Sequence, residues 1–111
     1  MFRLALIPLF AFTTALSAGA TQSPDIAAMQ KQAIQFLKVT QGADGSWTKN
    51  DVVGVTGLVT TSLLQSGLTA DDPAVSAGLA NLMSHVKTDG GIYAKGSLHR
   101  NYETCITVYP L

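Results

Sequence analysis

Three groups of residues have types and spacing that chemistry could use. Asp71-Asp72 is a pair of adjacent carboxylates, a group able to protonate a substrate or hold a cation. Pro73 follows directly, and Asp before a first-turn Pro marks a helix start, so the pair reads as a solvated cap. His85, His99 and Cys105 are metal-ligand types, but none stand at the close spacing of a zinc site, and neither a metal nor another cofactor is expected. His85 reads as a helical residue complementing a C-terminal dipole, and Cys105 as a small buried hydrophobe. The third group is His99, Arg100, Asn101, Tyr102 and Glu103. At a helix start this run sets polar side chains beside backbone N–H groups, which can aid an anionic ligand. The bland use of the same run is a start capped by Asn101 with its charges in water. His99, Asn101, Tyr102 and Glu103 are the candidate ligand contacts; no residue is a candidate for catalysis.

The chain that must position these groups has 111 residues, seven basic and seven acidic, and no net formal charge. Without a basic patch, nucleic acid is not an expected partner. The single Cys105 excludes an internal disulfide. Met1-Phe2-Arg3, the apolar run from Leu4 to Leu16 and the ending Ala18-Gly19-Ala20 form the three-part pattern of a secretory signal peptide. The apolar run falls short of the about 20 residues a membrane span needs. Residues 1–20 are therefore expected to be a signal peptide cleaved after Ala20, residues 21–111 one small domain, and the location secreted or periplasmic.

Periodicity makes that domain all-α. Ser23-Pro24-Asp25 is a helix start, and Ile26, Met29, Ala33, Ile34 and Leu37 follow at helical spacing to about Thr40. A loop punctuated by Gly42 and Gly45 leads to a second helix over Gly54 to Ser66, poor in propensity and so expected to pack on both sides. A third opens at Asp71 or Asp72 and carries Val75, Leu79, Leu82, Met83 and Val86. A fourth opens at Asn101 and meets Pro110.

Trp47 can be set over Tyr93. At that offset Phe36 falls on Leu82, Leu37 on Met83, Gln41 on Lys87, Gly45 on Gly91 and Thr61 on Thr107. Each unit reads helix, Gly-rich loop, helix, the mark of stacked units that cannot bury their faces alone. Phe36-Leu37-x3-Gln41-x3-Gly45-x-Trp47 resembles the Gln-Trp motif of the squalene–hopene and oxidosqualene cyclase superfamily, which includes prenyltransferase β-subunits and other α/α toroids. Leu82 to Tyr93 resembles a degenerate copy. Asn101 to Cys105 resembles the inner-helix start of secreted bacterial prenyltransferase and squalene oxidase repeat proteins.

The resemblance implies tandem helical hairpins of an incomplete α/α toroid, a truncated terpenoid cyclase/prenyltransferase-like repeat domain. It assigns structural roles to Phe36, Leu37, Gln41, Gly45, Trp47, Gly91 and Tyr93. The Gln side chain would meet the N-terminus of a neighbouring helix, its carboxamide oxygen accepting from unpaired N–H groups, with the Trp packed beside it. The superfamily's acidic motif, Asp-x-Asp-Asp, lacks its first Asp at Asp71-Asp72, and Glu103-Thr104-Cys105 matches no catalytic order. The implied function is a non-catalytic scaffold. The alternatives are an isoprenoid enzyme whose acid lies outside this chain, and a binding module for peptide or glycan. The implied partners are an isoprenoid or other small ligand in a complete ring, and further repeats or a partner chain against the open faces.

Overall fold

The computed structural model describes residues 24–48 and 52–111. The expected signal peptide and the Ser23 cap lie outside the described residues. Within them the chain is all-α: α1 (Pro24–Thr40), α2 (Val53–Gln65), α3 (Pro73–Ser84) and α4 (Arg100–Thr107).

Each helix has local causes. α1 carries Asp25 in its first turn and Lys38 in its last, both favourable to the dipole. α2 is built from Val, Thr and Gly, and burial offsets that weak propensity: Val53, Gly54, Thr56, Gly57, Thr60 and Leu63 are all inside. The buried Thr60 hydroxyl donates to the Thr56 carbonyl, so its polar atom costs little. In α3, Asp72 is the cap, accepting from the Ala74 amide, with Pro73 following at the first position.

Two boundaries differ from expectation. α3 ends at Ser84; Val86 leaves it and pairs with Ile92 in an isolated antiparallel bridge. α4 begins at Arg100, and its N-cap is His99 with no side-chain cap bond, so Asn101 lies within the first turn and does not cap it. The helix stops at Thr107, before Pro110, which disfavours helical backbone in the residue preceding it.

α2 is central. Its Val53 clusters with Leu82, and its Leu63 with Ala74 and Val75, so α2 and α3 run antiparallel. Gly54 lies beside Tyr102 and Glu103, and Gly57 beside Ile106 and Thr107, so α2 and α4 run parallel. Small residues set these distances: a Cβ on Gly57 would fall 2.9 Å from Thr107 Cγ2, and one on Gly78 would fall 2.5 Å from Thr60 Oγ1. α1 joins the core through Ile34 and Leu37. Ile26 and Met29, expected on the buried stripe, are exposed.

Candidate functional site: the joint after α1 and the start of α4

The loop after α1 fastens three elements. Trp47 Nε1 donates to the Leu37 carbonyl at 2.7 Å. That carbonyl belongs to the last turn of α1, where helical partners run out. The indole packs on the Leu63, Ala74 and Val75 cluster. Gln41 Nε2 donates to the Gly45 carbonyl at 3.0 Å and to the Ala74 carbonyl at 2.9 Å. Gln41 thus reaches the first turn of a neighbouring helix, but with polarity opposite to expectation. Its amide donates to a carbonyl, because Asp72 already serves the Ala74 N–H.

Gly45 makes the approach possible. Its φ is +83°, and a Cβ there would fall 2.2 Å from the Ala77 carbonyl oxygen of α3. Asp44 closes the turn by accepting from the Ser46 amide and hydroxyl, which hold its carboxyl below the usual carboxylate range. Asn81 ties the same loop to α3 by donating to the Asp44 carbonyl. Lys38 meets Asp72 at 2.6 Å, and this contact is the largest cause of that carboxyl's lowered pKa.

The loop after α3 makes the same bonds. The Lys87 amide donates to the Gly91 carbonyl as Gly42 does to Ser46, and Gly90 donates to Lys87 as Gly45 does to Gly42. Asp89 accepts from the Gly91 amide as Asp44 accepts from Ser46, and Gly90 shares the φ of +83°. Every equivalence is displaced by 45 residues, one fewer than the separation of Trp47 and Tyr93. The hydrogen-bonded counterpart of Trp47 is therefore the buried Ile92, and that of Leu37 is Leu82. Burial agrees, since Phe36 is 63% exposed whereas Leu82 is 0% exposed. Gly91 and Tyr93 consequently do not hold the places of Gly45 and Trp47. The Tyr93 hydroxyl instead donates to Asp89, lowering that carboxyl's pKa and raising its own. Its ring lies 5.7 Å from Lys87 Nζ and 5.2 Å from the Arg100 guanidinium carbon.

Beyond the loops a further shift appears. Thr56 Oγ1 accepts from the Trp47 amide; in the second unit Thr104 Oγ1 accepts from the Ile92 amide, and Glu103 Oε2 accepts from the Ala94 amide two residues further on. Thr60 and Thr107 are both buried and donate to the carbonyls of Thr56 and Glu103 respectively. Thr107 therefore answers to Thr60, not Thr61.

The candidate ligand contacts do not converge. Glu103 is 5% exposed, its carboxylate bound to the Ala94 amide and its stem beside Gly54. Glu103 is thus an internal tie, not a surface contact. His99, Asn101 and Tyr102 are exposed and border an open hollow of about 530 Å³ with Ser97 and Leu98. Arg100 is turned back onto the Ser97 carbonyl. Cys105, expected inside, is exposed. Among the described residues no group of three or more His, Cys, Asp or Glu could hold a metal ion, and no helix is long and apolar enough to cross a membrane.

Sequence reasoning missed the tie from Glu103 to Ala94 and the paired Asp-Gly turns. The turns had a visible signal: Asp44-Gly45-Ser46-Trp47 and Asp89-Gly90-Gly91-Ile92 align directly once the aromatic residues are not forced together. Comparison of the chain with protein-family models, with curated proteins and with solved structures returns no match.

Proposed function

We propose that this chain is a non-catalytic scaffold of stacked helical hairpins, a secreted repeat protein of the squalene cyclase/prenyltransferase-like kind. The observation that carries the reading is the joint itself. Both amide hydrogens of Gln41 and the indole N–H of Trp47 are bonded to backbone carbonyls of α1, α3 and the intervening loop. Side chains so committed hold elements together and are not offered to a substrate. The recurrence of the Asp-Gly turn, and the parallel packing of α2 on α4 through Gly54 and Gly57, support a stacked arrangement. In such an arrangement the outer faces of α1 and α4 receive further helices. A small apolar ligand such as an isoprenoid would belong to the ring those helices complete.

The test is incubation of the purified chain with squalene and with prenyl diphosphates, followed by chromatography of the products. No turnover is expected. Cyclised or transferred product that disappears on substitution of Glu103 by Gln would overturn the scaffold reading. A joint that serves structure predicts in parallel that Gln41 and Trp47 variants change unfolding midpoints.

A further inference from the structure

Glu103 ties α4 to the preceding loop through one oxygen only. Oε2 accepts from the Ala94 amide at 3.1 Å, and among the described residues Oε1 has no partner. Oε1 is not sealed in, because Thr61 Oγ1 is the one fully enclosed side-chain polar atom without a partner among the described residues. It therefore reaches open space, a hollow of about 370 Å³ that Glu103 lines together with Ala94. No cation of the described chain neutralises it. The one ion pair there joins Lys38 to Asp72, and Arg100 is engaged by the Ser97 carbonyl and the Tyr93 ring. Lys95 stands exposed at the rim of the hollow. A carboxylate so withdrawn and unpaired is unfavourable until a cation meets it.

We propose that this hollow binds a primary alkylammonium, with its N–H groups on Glu103 Oε1 and its chain along Val52 and Leu98. Those two side chains line the same hollow and are 43% and 95% exposed, so an apolar wall rises from a carboxylate floor. Other cations fit less well. A divalent metal needs several ligands, and no group of three or more His, Cys, Asp or Glu stands among the described residues to hold one. A guanidinium fork takes both carboxylate oxygens side by side, and Oε2 already serves Ala94. An ammonium is a point donor and needs only the free oxygen. The rim charge of Lys95 opposes it, so the affinity is about millimolar. The ammonium belongs either to a free amine or to the lysine side chain of a peptide. The site uses no residue of the joint and asks for no turnover, so it stands apart from the scaffold reading.

The test titrates n-butylammonium chloride into the full chain and follows backbone amides by NMR. The Ala94 amide, bonded to the same carboxylate, is expected to shift saturably. Tetramethylammonium chloride, of equal charge but without an N–H, is expected to leave it unmoved. Glu103→Gln keeps a carbonyl for the Ala94 amide but loses the charge, and should weaken butylammonium binding about tenfold or more. Lys95→Gln, at an exposed site, removes the opposing charge and should tighten binding. Nα-acetyl-lysine amide separates the two sources: binding at least as tight as butylammonium assigns the site to a peptide lysine, weaker binding to a free amine. Three results overturn the proposal: no saturable shift of Ala94, an equal shift with tetramethylammonium, or a folded Glu103→Gln chain that binds as tightly as the native one. Should Glu103→Gln not fold, Lys95→Gln decides, and binding no tighter than that of the native chain overturns it.

Discussion

Gly45 and Gly90 offer a matched pair of perturbations. Each follows an Asp in the same turn and each has a φ of +83°. Substitution by Ala forces an L side chain into the left-handed region at both, a strain of roughly 1–2 kcal/mol. The surroundings differ. A Cβ at Gly90 meets nothing within 4 Å, whereas one at Gly45 would fall 2.2 Å from the Ala77 carbonyl oxygen and 2.7 Å from its carbon. Those atoms are helix backbone and cannot rotate away, so the loop must lift from α3. Lifting it breaks the Asn81 bond to Asp44 and pulls Gln41 from Ala74. Overpacking adds about 1–3 kcal/mol, and each lost hydrogen bond about 1 kcal/mol. Gly90→Ala should therefore cost roughly 1–2 kcal/mol, and Gly45→Ala about 4–7 kcal/mol, which is comparable with the lower end of ordinary domain stability. Urea unfolding followed by circular dichroism, with Trp47 fluorescence as second probe, measures both. If the two variants fall within about 0.5 kcal/mol of each other, the close approach of loop and α3 is wrong.

Further outcomes follow from the same contacts. Trp47→Phe retains most of the ring but removes the bond to Leu37, and should cost about 1 kcal/mol or somewhat more in chemical denaturation. Gln41→Glu sets a carboxylate against two carbonyls, so it should be less stable than Gln41→Ala at neutral pH. It should recover in acid as the new carboxyl protonates and can donate, whereas an amide that accepted from helix N–H groups would give the reverse order. The lowered pKa values of Asp44, Asp72 and Asp89 make their contributions complete above the ordinary Asp range and lost as pH falls through the lower folded values. Carboxyl titration by NMR should show all three below that range, and Lys38→Met should move Asp72 alone upward. Gly57→Ala should cost about 1–3 kcal/mol by pressing on Thr107, and its partial relief by Thr107→Ser would show as coupling in a double-mutant cycle.

The existence and approximate limits of the four helices were legible because their signals are local. Asp72-Pro73 caps α3 with its own backbone, Pro110 blocks α4 within one turn, and apolar residues recur at the helical period. Trp47 has the large apolar contact and the one acceptor that an indole needs. Tertiary structure decided the rest, because it depends on which groups stand opposite one another. Trp47 and Tyr93 are both aromatic and lie in similar loops, yet only burial and backbone bonding show Ile92 in the equivalent place. An amide side chain can donate or accept, and Gln41 donates because Asp72 had already taken the competing N–H. Glu103 looked like a surface acid beside its polar neighbours. Its carboxylate turns inward because the Ala94 amide needs an acceptor and Gly54 leaves the room. Ile26 and Met29 continue the same helical period as Leu37, but the core meets only the end of α1, so a pattern that made the helix could not say where its partner stops.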